Sequence, residues 1–157
     1  MEPEATGDLD PAEDAAPRDA AAGDATPATR QRIREIALAR PEAYEEQAWH
    51  GTRWRVRNKT FAHVLRVDDK PPAFRRVLGG DRSVDVLSFR VADEDVELYR
   101  SLGPPFAVGG WGRNQVLLVL DRATDWDQVR ELVVDSYRTV APAALVRRST
   151  DDDGTAD

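Results

Sequence analysis

The sequence predicts an α+β fold, a two-layer sandwich of about five antiparallel strands and three helices in the order α-β3-α-β2-α. Three observations predict it. Apolar residues recur at helical spacing in three separated stretches. Between the first two, residues 53–67 alternate with period two and turn back quickly, as hairpin-linked antiparallel strands do. One continuous apolar run, Val116 to Leu120, suits a strand covered on both faces.

The elements follow in chain order. Thr26-Pro27 reads as an N-cap with proline at the first helical position. Ile33, Ile36, Ala37 and Arg40 keep helical spacing, so a helix is expected over 28–39, ended by Pro41. Residues 41–46 read as a connector or a short turn of helix. Arg53-Trp54-Arg55-Val56-Arg57 alternates strictly, with Trp54 and Val56 inward and the three arginines outward. Asn58-Lys59 is the expected hairpin turn. Phe61 to Val67 is the next strand, with Phe61, His63, Leu65 and Val67 expected on one face. A long loop, 68–83, carries Pro71-Pro72 and Gly79-Gly80, and a third strand runs from about Val84 to Val91.

Asp93 then caps a helix with Val96, Tyr99 and Leu102 inward, stopped by Gly103-Pro104-Pro105. After the central strand, Asp125 with Gln128 three residues on resembles a capping box. The last helix carries Trp126, Val129, Leu132, Val133, Ser136, Tyr137 and Val140 on one face and ends before Pro142.

Charge divides the chain. Residues 1–29 hold eight acids and one arginine, and residues 149–157 hold four acids and no base. Both are poor in large apolar side chains and are expected to be disordered acidic tails. The domain, residues 30–148, carries a net charge of +4 against −7 for the whole chain. The tails serve solubility, or else the N-terminal one lies across a basic face of the domain and competes with a polyanion.

Several chemistries are excluded or unsupported. The absence of cysteine removes disulfides, thiol catalysis and cysteine-ligated metals. The longest apolar run is far short of the roughly 20 residues of a membrane span. The acidic start lacks the apolar core of a secretory signal, so a cytoplasmic protein with no membrane partner is expected. The two histidines, His50 and His63, lie apart with no metal-ligand spacing, and Asp151-Asp152-Asp153 reads as solvated tail. No Gly-x-Ser-x-Gly is present, and Gly109-Gly110-x-Gly112 lacks a Walker ending and precedes a strand. No cofactor, metal site, catalytic residue or enzymatic activity is therefore expected.

The basic stretch is more informative. No acid occurs from Gln47 to Val67. By strand parity Arg53, Arg55, Arg57, Arg66 and Arg90 share the sheet face opposite the helices, with Lys59 at the turn. Such a face attracts phosphates in a salt-dependent way. The competing reading is a solvated sheet face in an arginine-rich chain. Trp111, between glycines and beside Arg113 and Asn114, is the tryptophan expected to be exposed and able to stack on a base. Trp49 is expected to pack at the helix–strand connector.

The pieces together resemble the MmcQ/YjbR-like proteins. The resemblance is carried by the first helix, Pro41, Trp49-x-Gly51 and Val56-x-x-Lys59-x-Phe61-Ala62. It continues in Gly110-Trp111-Gly112 before a strand closing at Leu120-Asp121, then Asp135-Ser136-Tyr137 and Ala141-Pro142. It covers roughly residues 30–148. It implies the same antiparallel α+β order, no cofactor, and DNA binding through two loops likened to paired wings. Here those loops would be 68–83, with Lys70, Arg75, Arg76 and Arg82, and 106–115, with Trp111 and Arg113. The chain departs from the family pattern in its long 68–83 loop, its acidic tails, and Arg53-Trp54 at the first strand. The expected function is weak, phosphate-directed DNA binding through Arg53, Arg55, Arg57, Lys59, Arg66, Arg90, Trp111 and Arg113. The alternative is a protein partner, because the topology also resembles that of type III secretion chaperones.

Overall fold

The computed structural model describes residues 22–68, 75, 80, 82–108 and 112–155. Strand β1 (Ala22–Gly23) precedes helix α1 (Pro27–Leu38). Strands β2 (Tyr44–Gln47), β3 (Thr52–Val56), β4 (Lys59–Val67) and β5 (Val84–Arg90) follow. A 3-10 turn at Asp93–Asp95 leads into helix α2 (Val96–Leu102). Then come β6 (Phe106–Val108), β7 (Gln115–Leu120), α3 (Trp126–Val140) and α4 (Ala143–Thr155). The strands form one antiparallel sheet in the order β2-β3-β4-β5-β7-β6, and β1 adds to the far end of β4 at Ala22↔Val67.

Helices α1 and α3 form where the sequence marks them. Pro27 opens α1, which buries Ile33 and Ala37. Asp125 Oδ1 accepts from the amides of Asp127 and Gln128 at 3.0 and 3.3 Å and so caps α3. From α3, Val129, Leu132, Val133 and Tyr137 turn onto the sheet. Trp54, Val56, Phe61, Val64, Leu87, Phe89, Val116 and Leu118 meet them there, and the Phe61 and Tyr137 rings pack edge-on at 5.3 Å. Full burial of side chains this size contributes on the order of 1.5–3 kcal/mol each. β7 is buried at every position, as its unbroken apolar run requires.

Several expectations are corrected. The sheet has six strands along its main path, and there are four helices among the described residues, where about five strands and three helices were expected. Residues 44–47, read as connector, are edge strand β2. Within the stretches read as acidic tails, β1 lies at 22–23 and α4 continues to Thr155. Leu145 and Ser149 anchor α4, and Ser149 Oγ accepts from buried Arg40 at 3.0 Å. Leu102 of α2 points outward, because a seven-residue helix at the sheet margin buries none of its side chains fully.

The β3–β4 hairpin also differs. Its loop is Arg57-Asn58, with Lys59 already paired to Val56. Trp54 opposes Ala62 but Arg55 opposes Thr60, so Phe61 is the extra residue of a β-bulge. The bulge puts Phe61 in the core with Ala62 and Val64. His63 opposes Arg53 on the other face, so Phe61 and His63 do not share one.

Candidate nucleic-acid interface

Cross-strand partners decide what the arginines of the central strands do. Glu46 of β2 stands directly opposite Arg53 of β3. Its Oε1 accepts from Arg53 Nε at 2.7 Å and Nη2 at 2.5 Å, and from Arg55 Nη1 at 3.4 Å. Arg55 Nη2 also donates to the Asn58 carbonyl at 2.5 Å. Arg53 and Arg55 are both buried, as are His63, Leu65, Val67, Val86, Ser88 and Leu117 on the same side of the sheet. The open basic face expected from alternation is therefore a buried one. A guanidinium leaves water only with a counter-charge and acceptors at hand, and β2 supplies them.

The remaining predicted residues scatter. Arg66 points to the helix side of the sheet, where Nη1 donates to Asp85 at 3.1 Å near Thr26. Arg90 donates to Asn114 at 3.4 Å. Arg113, with a largely exposed side chain, donates to Asp93 at 2.8 Å. Trp111, Lys70 and Arg76 lie outside the described residues.

The two ends of the sheet sort the loops. Val67 pairs with Val84, so the 68–83 connection leaves one end. Lys59 begins β4 and Gln115, opposite Arg90, begins β7, so the β3–β4 turn and the β6–β7 connection leave the other. The strand ends from which the expected wings 68–83 and 106–115 depart are thus at opposite ends of the sheet, and residues 69–74, 76–79, 81 and 109–111 of those loops lie outside the described residues. The partner of the β6–β7 connection is the Arg57-Asn58 turn. Three strand spacings separate the β3–β4 pair from the β7–β6 pair, about 14 Å.

That turn sits in a strained corner. Arg57 and Asn58 have φ of 50° and 67°, which makes the turn one of the primed hairpin type. Glu42 has φ 59°. Of four non-glycine residues with positive φ among the described residues, these are three. Arg57 Nε and Nη2 donate to the two carboxylate oxygens of Glu42 at 2.8 and 3.2 Å. Tyr44 Oη donates to Asn58 Oδ1 at 3.3 Å. The Arg57 hydrogen bond holds the Glu42 carboxyl below the usual range, and the charges of Arg57 and of Arg148 on α4 add to it against partial desolvation. Lys59 and Arg148 are exposed.

The sequence reading missed Glu42, Glu46, Arg148 and Trp49. The available signal for the two acids was the run Glu42 to Glu46 immediately before an acid-free basic strand. Trp49 is 88% exposed rather than packed. It rides on a turn fixed from below. Ala48 N and Gln47 Nε2 both donate to the Gly51 carbonyl at 3.0 Å, and His63 Nε2 donates to the His50 carbonyl at 2.5 Å.

A cleft of about 410 Å³ is lined by Asp93, Glu97, Arg100, Arg113 and Asn114. Its charged groups pair with one another, Arg113 with Asp93 and Arg100 with Glu97. Among the described residues no group of three or more acidic or histidine side chains stands where a metal ion is held. No helix among them is long and apolar enough to cross a membrane.

An antiparallel α+β domain, with the Arg57-Asn58 turn at the same sheet end as the close of β6 and the start of β7, is what the geometry defines. The chain belongs to the YjbR family, whose model matches residues 38–139. The match runs from the end of α1 to the end of α3 and leaves α4 outside. No curated protein matches the chain.

Proposed function

We propose that this YjbR-family protein binds duplex DNA weakly, through phosphates, with the sheet end that carries the Arg57-Asn58 turn and the β6–β7 connection. One observation carries the reading: the two turns leave the same end, about 14 Å apart, on the scale of the roughly 12 Å major groove. Arg57, Lys59 and Arg148 serve the first turn, and Arg113 serves the second. Contacts of this kind position a protein on DNA without reading its sequence. Arg53 and Arg55 do not contribute, because their guanidiniums are buried against Glu46. No catalytic step is part of this reading.

Fluorescence anisotropy of a labelled duplex against the full chain, over a salt series, tests it. Binding at low salt should weaken steeply as salt rises, and Lys59→Gln with Arg148→Gln should flatten the slope by about one per cation removed. Absence of binding at low salt overturns the reading. A protein partner is the second reading, favoured by the 88% exposure of Trp49 on a fixed turn at the opposite end of the sheet. A protein complex that survives nuclease and is lost in Trp49→Ala would decide for it.

A further inference from the structure

We propose that the Arg57 guanidinium fork is a phosphate-group site, and that the Glu42 carboxylate fills it in the free protein and is displaced on binding. The biological ligand rests on the DNA reading above; the site itself does not.

Glu42 engages Arg57 as a phosphate would. Nε and Nη2 form a planar fork, and two oxygens of one anionic group sit on it at 2.8 and 3.2 Å. The site is therefore assembled from the hairpin and the 41–43 segment, and it already holds an anion.

The occupant is easily exchanged. The Arg57 side chain is 55% exposed and that of Glu42 is 42% exposed, so the pair is bathed in water and contributes little. The Arg53–Glu46 pair is the contrast, with its guanidinium buried. A phosphate group offers more charge and more acceptor oxygens than a carboxylate. The hairpin does not depend on Glu42 either, since ladder pairing and the Tyr44–Asn58 hydrogen bond also hold it. Yet both partners sit at positive φ, a conformation that costs energy outside glycine and gathers at binding sites. A latch that is weak, strained and unnecessary to the fold is explained by the group it keeps ready.

The test follows the Arg57 Nε–H resonance of the full-length protein by NMR during titration with inorganic phosphate and, separately, a short duplex. Glu42→Gln should bind phosphate roughly two- to fivefold more tightly than the parent, the displacement cost of an exposed ion pair. Glu131→Gln makes the same charge change on the exposed side of α3 and should leave affinity at the parent value. If Glu42→Gln fails to fold, Glu42→Gly, which suits the positive φ, takes its place. A gain toward both ligands supports the site and the DNA reading together. A gain toward phosphate with no duplex binding keeps the site and removes DNA as its ligand. An Arg57 resonance unmoved by phosphate in the Glu42 variants, or an equal gain in Glu131→Gln, overturns the site.

Discussion

Ser136 on α3 donates its hydroxyl to the Phe61 carbonyl at 2.6 Å and accepts the Arg90 amide at 2.8 Å. The two backbone groups share a cause. Phe61 is the bulged residue of β4, and Arg90 is the last residue of β5, so each has a group that the ladder leaves over. One fully buried hydroxyl satisfies both. Ser136→Ala should therefore destabilise the protein by about 1–3 kcal/mol, the cost of orphaned buried polar groups. Urea unfolding measures it, and a loss too small to resolve would show that water replaces the hydroxyl.

Removing the carboxylate that holds two buried guanidiniums should be costly. Glu46→Ala leaves Arg53 and Arg55 without their shared acid. Full burial would put the loss near 3–5 kcal/mol, but Glu46 itself is 41% exposed and water reaches it, so about 1–2 kcal/mol is expected. The urea midpoint should fall with the slope unchanged.

Gly51 is irreplaceable on steric grounds. Its φ is +79°, and a Cβ there would lie 2.1 Å from the Val64 carbonyl oxygen. Gly51→Ala must push the 48–51 turn off β4, at a cost above the ~1 kcal/mol of a conformation-only mismatch. Thermal unfolding and the fluorescence of Trp49 should both shift.

Tyr137 sets an alkaline limit. Burial raises its hydroxyl pKa, with Arg148 and Arg40 pulling the other way, and the group donates to the Pro41 carbonyl at 2.7 Å. A raised pKa gives stability that is whole below the unfolded value of about 10 and is lost as pH rises through the folded one. Tyr137→Phe should start less stable but lose less between neutral pH and pH values above about 10, measured by urea unfolding across pH. Tyr99, also raised by burial, keeps its own contribution in both proteins.

Arg53 and Lys59 should fail differently. Arg53→Gln should lower the unfolding midpoint and leave the salt slope of DNA binding unchanged. Lys59→Gln should leave the midpoint within about 0.5 kcal/mol and reduce the slope. A slope change in the Arg53 variant would return the buried face to the interface.

Where apolar side chains alternate or recur, the fold was legible. Ile33 and Ala37, Trp54 and Val56, the 116–120 run and the α3 stripe all lie where periodicity puts them. β2 was not legible because Tyr44-Glu45-Glu46-Gln47 has no apolar alternation. Its period is written in ion pairs, with Glu45 reaching Arg34 and Trp54 on the helix side and Glu46 reaching Arg53 on the other. The same blindness affected the site. Alternation placed Arg53 and Arg55 opposite Trp54, but parity carries no information on whether a face is wet. α4 was hidden because its buried contacts rest on only Leu145 and Ser149, with a polar second half following Val146.

The helical layer joins segments far apart in the chain. Tyr137 reaches Pro41 across 96 positions, and Arg40 reaches Ser149 across 109. The strands β2 to β5 form hairpins with near neighbours and can assemble as they leave the ribosome. Their helix-facing side then waits without α3 until residues 126–140 are made. Growth of this protein in the cell thus passes through a stage in which Trp54, Phe61 and Phe89 lack their final cover, and nascent-chain chaperones have the most to hold then.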